Sequence, residues 1–181
     1  MKVVLSYLLA FGGLGLMLYV FAPIAGRAKY LEARATLWHL LRTMPNHAEL
    51  RCKAATGTFG EAVAAAMKTA VMMKTRDPAM LQKGTLPAYD AQVIAIRLHW
   101  KAVLKKVRTA GMLAIGAIVL AASIHTSVIL HVLLALVTIA AGVYVFLFKL
   151  DVDRSLMLAR AEILPEVERA FAEGRYVLPP G

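Results

Sequence analysis

Two stretches of this sequence contain no charged residue: positions 3–26 and 109–148 lack Lys, Arg, Asp and Glu altogether. Acidic residues are scarce elsewhere too, 11 against 21 Lys and Arg, and none falls in either apolar stretch. There is one cysteine, Cys52, so no intramolecular disulfide can form, which fits a reducing compartment. No phosphate-binding glycine loop and no nucleophile elbow occurs. His39, His47, Cys52 and His99 are scattered, and no pair has ligand spacing on one helix face. His39 and His99 each adjoin a tryptophan, but neighbours in sequence point in different directions on a helix. These absences leave no support for catalytic residues, a cofactor or a metal, and the expectation is a protein that is not an enzyme.

What is abundant is apolar surface. The chain is 60% hydrophobic, above the roughly 45–50% of soluble domains, and the excess sits in the two charge-free stretches. As a helix, the 24 residues of 3–26 extend about 36 Å, enough to cross a hydrocarbon core of roughly 30 Å. A cleavable signal peptide fits less well, because the run exceeds the usual apolar region of roughly 7–15 residues and Phe21-Ala-Pro-Ile-Ala-Gly26 offers no clean small-x-small site. The 40 residues of 109–148 extend about 60 Å, twice the core, and must fold back. The polar cluster His125-Thr126-Ser127 is the natural turn of a helical hairpin.

The net charge of +10 would ordinarily point to nucleic acid, but its distribution points elsewhere. Residues 27–108 carry 15 basic and 5 acidic side chains, whereas 149–181 carry 5 basic and 6 acidic ones. Arg27, Lys29, Arg34 and Arg42 follow the first span, and Lys101, Lys105, Lys106 and Arg108 precede the second. By the positive-inside rule the basic region is cytoplasmic, with the N-terminus and the His125 turn outside and the tail from Lys149 inside. The expected fold is an all-α integral membrane protein with three transmembrane helices. Its parts are a first span (1–26), a basic helical cytoplasmic region (27–108), a transmembrane hairpin (109–148, turning near 125–127) and a cytoplasmic helical tail (149–181). The expected location is a bacterial inner membrane and the expected partners are the bilayer, other membrane-protein subunits and copies of itself, not nucleic acid.

Within the basic region, Leu31, Ala35, Trp38 and Leu41 recur at helical spacing up to Pro45. Residues 27–44 therefore read as a continuation of the first span, bent near Pro23 and Gly26. Thr58 with Glu61 reads as a capping box opening a helix that runs to about Thr75, with Val63, Met67, Ala70 and Val71 as its apolar stripe. Gly84 and Pro87 make 82–88 a predicted loop, after which Asp90 caps a helix from 91 to 124. Val93, Ile96, Trp100, Val103 and Val107 line one face of that helix and need a partner, either the 27–44 helix or a neighbouring subunit. The tail is helical in pattern from Asp153 to Ala172, with a restart at Pro165 and a stop at Gly174. Residues 177–181 are too short and too rich in proline to fold alone.

Small residues mark candidate packing faces between spans. Ala110, Ala114, Ala117 and Ala121 share one face, and His131, Ala135, Thr138 and Gly142 share another at the same spacing, so the two stripes are expected to be the hairpin's own contact. Gly12 and Gly15 give the first helix a shorter groove. His131 is the one ionisable side chain well inside a span, which makes it the candidate intramembrane functional residue, while its place near the turn also fits a plain interfacial imidazole.

The layout of an outside N-terminus, one span, a helical cytoplasmic region, a hairpin and a helical tail resembles the ExbB/TolQ family of proton-channel subunits. The resemblance covers the whole chain as topology and implies an ion-conducting oligomer. The segment Ala110-Gly-Met-Leu-Ala-Ile-Gly-Ala117 differs from that family's glycine-rich signature, and no residue role is carried over. The leading expectation is a non-catalytic structural or assembly subunit of a secretion, conjugation or energy-transducing machine. The alternatives are a pore-forming homo-oligomer of ExbB/TolQ-like topology and a membrane enzyme using His131.

Overall fold

A computed structural model of the chain describes residues 1–25, 30–124 and 128–176. The expected His125-Thr126-Ser127 turn, the Gly26 bend and the 177–181 tail lie outside the described residues. Seven α-helices account for most of the described chain, and no strand occurs among the described residues: α1 Lys2–Phe21, α2 Tyr30–Thr43, α3 Pro45–Ala54, α4 Phe59–Met73, α5 Pro78–Ser123, α6 Val128–Glu162 and α7 Leu164–Ala172. The chain divides into two compact units. Unit 1 comprises Met1–Arg27 with Trp100–Lys149, and unit 2 comprises Ala28–His99 with Leu150–Gly181.

In unit 1, α1 stops at Phe21, where Ile24 and Ala25 both donate to the Phe21 carbonyl and close a turn. Pro23 carries no amide proton to continue the ladder. Where a continuous helix bent near Pro23 and Gly26 was expected, the structure has two helices, α2 beginning at Tyr30. Two helices are long and apolar enough to cross a membrane, α1 and the one that begins at Val128. The uncharged end of α5, residues 109–123, spans about 22 Å, less than the roughly 30 Å of a hydrocarbon core.

Unit 2 is built around Leu41, Val63, Met67, Leu81, Tyr89, Leu156, Ile163 and Val167, all almost fully buried. Helix α4 opens as the sequence predicts: the Thr58 hydroxyl accepts from the Gly60 amide at 3.3 Å. Glu61 reaches one residue further back than a standard capping box, accepting from the Gly57 amide at 2.6 Å. Helix α3, which the pattern did not predict, starts on Pro45, whose missing amide proton costs nothing in a first turn.

The predicted loop at 82–88 is helix. Helix α5 runs through Gly84 and Pro87 because Leu81, Thr85 and Tyr89, at i, i+4 and i+8, are each fully buried and anchor both sides of the proline. Tyr89 further donates to the Leu156 carbonyl at 2.7 Å, and Thr85 to Glu168 at 2.6 Å. Gly84 serves packing, since the Met73 thioether occupies the place a Cβ would take. Helix α6 likewise continues through 149–153, so the hairpin's second helix and most of the tail are one element. It breaks at Ile163 ahead of Pro165, and α7 ends where Gly174, at φ +69°, lets Arg175 donate back to the Ala170 carbonyl at 3.0 Å.

Candidate functional site

In unit 1 the small-residue faces are buried, and the residues against them differ from the predicted ones. Ser6, Ala10, Gly13, Met17 and Val20 form the buried line of α1. Ala110, Ala114, Ala117 and Ala121 form that of α5, and His131, Ala135, Thr138, Gly142 and Val145 that of α6. Each line alternates steps of four and three, an average of 3.5 residues, which keeps a seam facing its partners in a left-handed supercoil. A Cβ at Gly13 would lie 3.0 Å from the Ala110 carbonyl oxygen and 3.3 Å from the Ala114 nitrogen. A Cβ at Gly142 would lie 3.2 Å from the Met17 methyl and 3.3 Å from Val107. The alanine stripe of α5 thus packs on α1, and the seam is shared by three helices instead of being private to the hairpin. Gly12 and Gly15 are exposed with nothing within 4 Å of a Cβ, so the close-packing glycine of α1 is Gly13. The four-and-three spacing from Ser6 onward was the signal for it.

His131 is fully buried, its ring centroid 4.6 Å from that of Tyr7. The Thr138 hydroxyl donates within its own helix to the Leu134 carbonyl at 2.8 Å. On the predicted partner face of α5, Ile96 and Trp100 are each 2% exposed, while Val93, Val103 and Val107 are half-buried. Trp100 packs on Phe148 of α6 with ring centroids 5.8 Å apart. Lys106 places its ammonium 5.1 Å over the Tyr19 ring, a cation–π contact between α5 and α1.

In unit 2 the ionisable groups are engaged in holding helices together. Glu166 on α7, 4% exposed, meets Arg42 of α2 at 3.4 Å, Arg169 at 3.0 Å and Arg175 at 3.5 Å. Arg175 also donates to the Leu41 carbonyl at 3.2 Å. Glu162 pairs with Arg34 at 2.6 Å and accepts from Tyr30 at 3.2 Å, and Asp90 pairs with Arg160 at 3.0 Å. Arg34 and Arg42 each stand 5.3 Å from the Trp38 ring, one turn to either side. Sequence reasoning missed the Glu166 hub, because Arg42, 124 residues away, joins Arg169 and Arg175 around it only when α2 and α7 meet.

Burial, reinforced by Glu49, pushes the Cys52 thiol up to about 12, and burial together with Glu162 pushes the Tyr30 phenol up to about 12. Burial also holds the Tyr89 phenol above its ordinary range. A cleft of about 310 Å³ is lined by Lys74, Thr75, Arg76, Phe171 and Tyr176, and among the described residues its wall has neither a carboxylate nor a histidine. Among the described residues no group of three or more His, Cys, Asp or Glu could hold a metal ion. Comparison of the chain with protein-family models, with curated proteins and with solved structures found no match.

Proposed function

We propose that this chain is an integral membrane protein that crosses a bacterial inner membrane three times, with its N-terminus outside and unit 2 in the cytoplasm, and serves as a non-catalytic structural subunit of a larger membrane assembly. One observation carries the membrane part. The two long apolar helices bury only 28% of their most apolar windows, whereas the core helix of a soluble protein is mostly buried. Their outward faces carry side chains such as Leu8, Phe11, Leu133, Leu136 and Phe146, an apolar surface suited to lipid and costly in water. The third crossing uses the apolar end of α5, whose shortness is met by Lys105, Lys106 and Arg108 reaching toward the headgroups on long aliphatic stems.

The assembly part is supported by what unit 2 leaves uncovered. Leu31, Met44, Leu50, Met72, Met80 and Ile94 are large apolar side chains exposed on that unit, and flexible thioethers suit a surface that packs against another protein. The test has two stages. In a Cys52→Ser background, a cysteine at Val128 should react with an impermeant thiol reagent from outside, and one at Leu50 only after the membrane is opened. Purification in mild detergent should then bring down a stoichiometric set of other proteins. Reversed labelling would sink the topology. A pure homo-oligomer that conducts ions in liposomes would replace the structural role with the pore-forming one.

A further inference from the structure

Helix α5 presents a second stripe, on a side away from the helix seam. Lys101, Lys105 and Arg108, at i, i+4 and i+7, are all exposed, and the same face continues upward through Met112, Ile115 and Val119, which are 64%, 57% and 61% exposed. The stripe is thus cationic at one end and apolar at the other. Unit 1 contains no Asp or Glu, so none of its own carboxylates can answer these cations. Alongside runs an apolar groove of about 270 Å³ lined by Val107 and Gly111 of α5 and by Ile139, Gly142, Val143 and Phe146 of α6. The contacts of Gly142 with Val107 and of Phe148 with Trp100 fix the register of the two helices. Lys101 and Lys105 therefore stand at the Phe146 end of the groove, and Gly111 at the other.

From this juxtaposition, and resting on the membrane-spanning reading above, we infer that unit 1 carries a binding site for one anionic glycerophospholipid of the cytoplasmic leaflet. The phosphate sits on Lys101, Lys105 and Arg108, and an acyl chain lies along the groove over Gly111. Cations within headgroup reach attract an anionic lipid electrostatically. A zwitterionic lipid would bring an ammonium group to a site that offers it three cations, in a unit without Asp or Glu. The groove accepts a chain because Gly111 has nothing within 4 Å of a Cβ, leaving open space where any other residue would stand.

The test uses the full-length protein in mild detergent, offered equal amounts of phosphatidylglycerol and phosphatidylethanolamine with identical acyl chains, with bound lipid counted by native mass spectrometry. The expected result is a preference for phosphatidylglycerol of roughly tenfold or more. Lys101→Gln/Lys105→Gln/Arg108→Gln should erase that preference, while Lys68→Gln/Lys74→Gln/Lys83→Gln, equal in charge removed, should keep it. Gly111→Leu fills the groove without changing charge and without displacing backbone, and should lower retention of both lipids. Equal retention of the two lipids by the unaltered protein, an intact preference in the first triple variant, or unchanged retention in Gly111→Leu would each overturn the site. If Gly111→Leu instead dissociates a dimer while lipid retention holds, the groove seats a second copy and the lipid assignment fails. A chain that labels with the proposed topology but does not discriminate lipids defeats this inference alone, whereas a chain recovered outside the membrane defeats both.

Discussion

The contrast between Gly12 and Gly13 gives the most discriminating test of how unit 1 is held together. Both are mid-helix glycines of α1, so replacing either by alanine brings the same gain in helix propensity, about 1 kcal/mol. They differ in what the new methyl group meets. At Gly12 it meets nothing within 4 Å, and at Gly13 it lies 3.0 Å from a carbonyl oxygen and 3.3 Å from a backbone nitrogen of α5. A flexible side chain would swing aside; backbone atoms of a helix yield only if the whole helix moves. Overpacking of that kind costs about 1–3 kcal/mol. Gly12→Ala should therefore stabilise the protein slightly, and Gly13→Ala should fall below it by that overpacking cost, a separation of roughly 2–4 °C in Tm for each kcal/mol. Thermal unfolding of both variants in the same detergent, followed by circular dichroism at 222 nm, measures the difference with the propensity term cancelled. Equal or greater stability of Gly13→Ala would refute the close approach of α1 to α5.

His131→Gln should preserve fold and assembly, whereas His131→Ala, which removes the ring packed on Tyr7, should cost about 2–4 kcal/mol by analogy with other large-to-small core changes; loss of an ion-driven activity in a well-folded His131→Gln protein would favour the channel reading. Glu166→Ala should destabilise unit 2 by about 1–3 kcal/mol, less than a wholly buried pair because Arg42 and Arg169 are 55% and 59% exposed, and a melting temperature unchanged from the parent would show that the hub contributes nothing. Cys52 has a folded pKa of about 12, raised above the 9.0 of a free thiol. Its contribution to stability is complete below pH 9.0 and declines as pH rises toward about 12, because the unfolded thiol ionises first. Cys52→Ala should flatten the fall in melting temperature between pH 8.5 and 10.5, and an identical slope in both proteins would count against burial as the cause.

The helices of unit 1 were legible because burial there is written in spacing. The alanine stripe from Ala110 and the stripe from His131 share the four-and-three step, and both lie inside. What the stripes touch was not legible, since spacing names a face and not the helix opposite. Gly13 carries the same step, counted from Ser6, yet a reading by glycines alone fell on Gly12 and Gly15. The segment 82–88 shows a different limit. Gly84 and Pro87 are local signals for a turn, and they lose to Leu81, Thr85 and Tyr89, whose partners on α6 and α7 lie far along the chain. The stripe through Trp100 named a face without its partner, because Phe148 lay in a segment read as a transmembrane hairpin.

Unit 2 is assembled from two pieces of chain with the hairpin between them. During synthesis, residues 30–99 emerge with Leu41, Tyr89 and Arg42 in place but without Leu156, Ile163, Val167 and Glu166, which leave the ribosome only after the hairpin has been made. At elongation rates of roughly 5–20 residues per second, the interval is several seconds. For that time a basic, half-finished helical body waits with its core open, so a delay in making the intervening segment is felt first as aggregation or proteolysis of residues 30–99, which that segment does not contain.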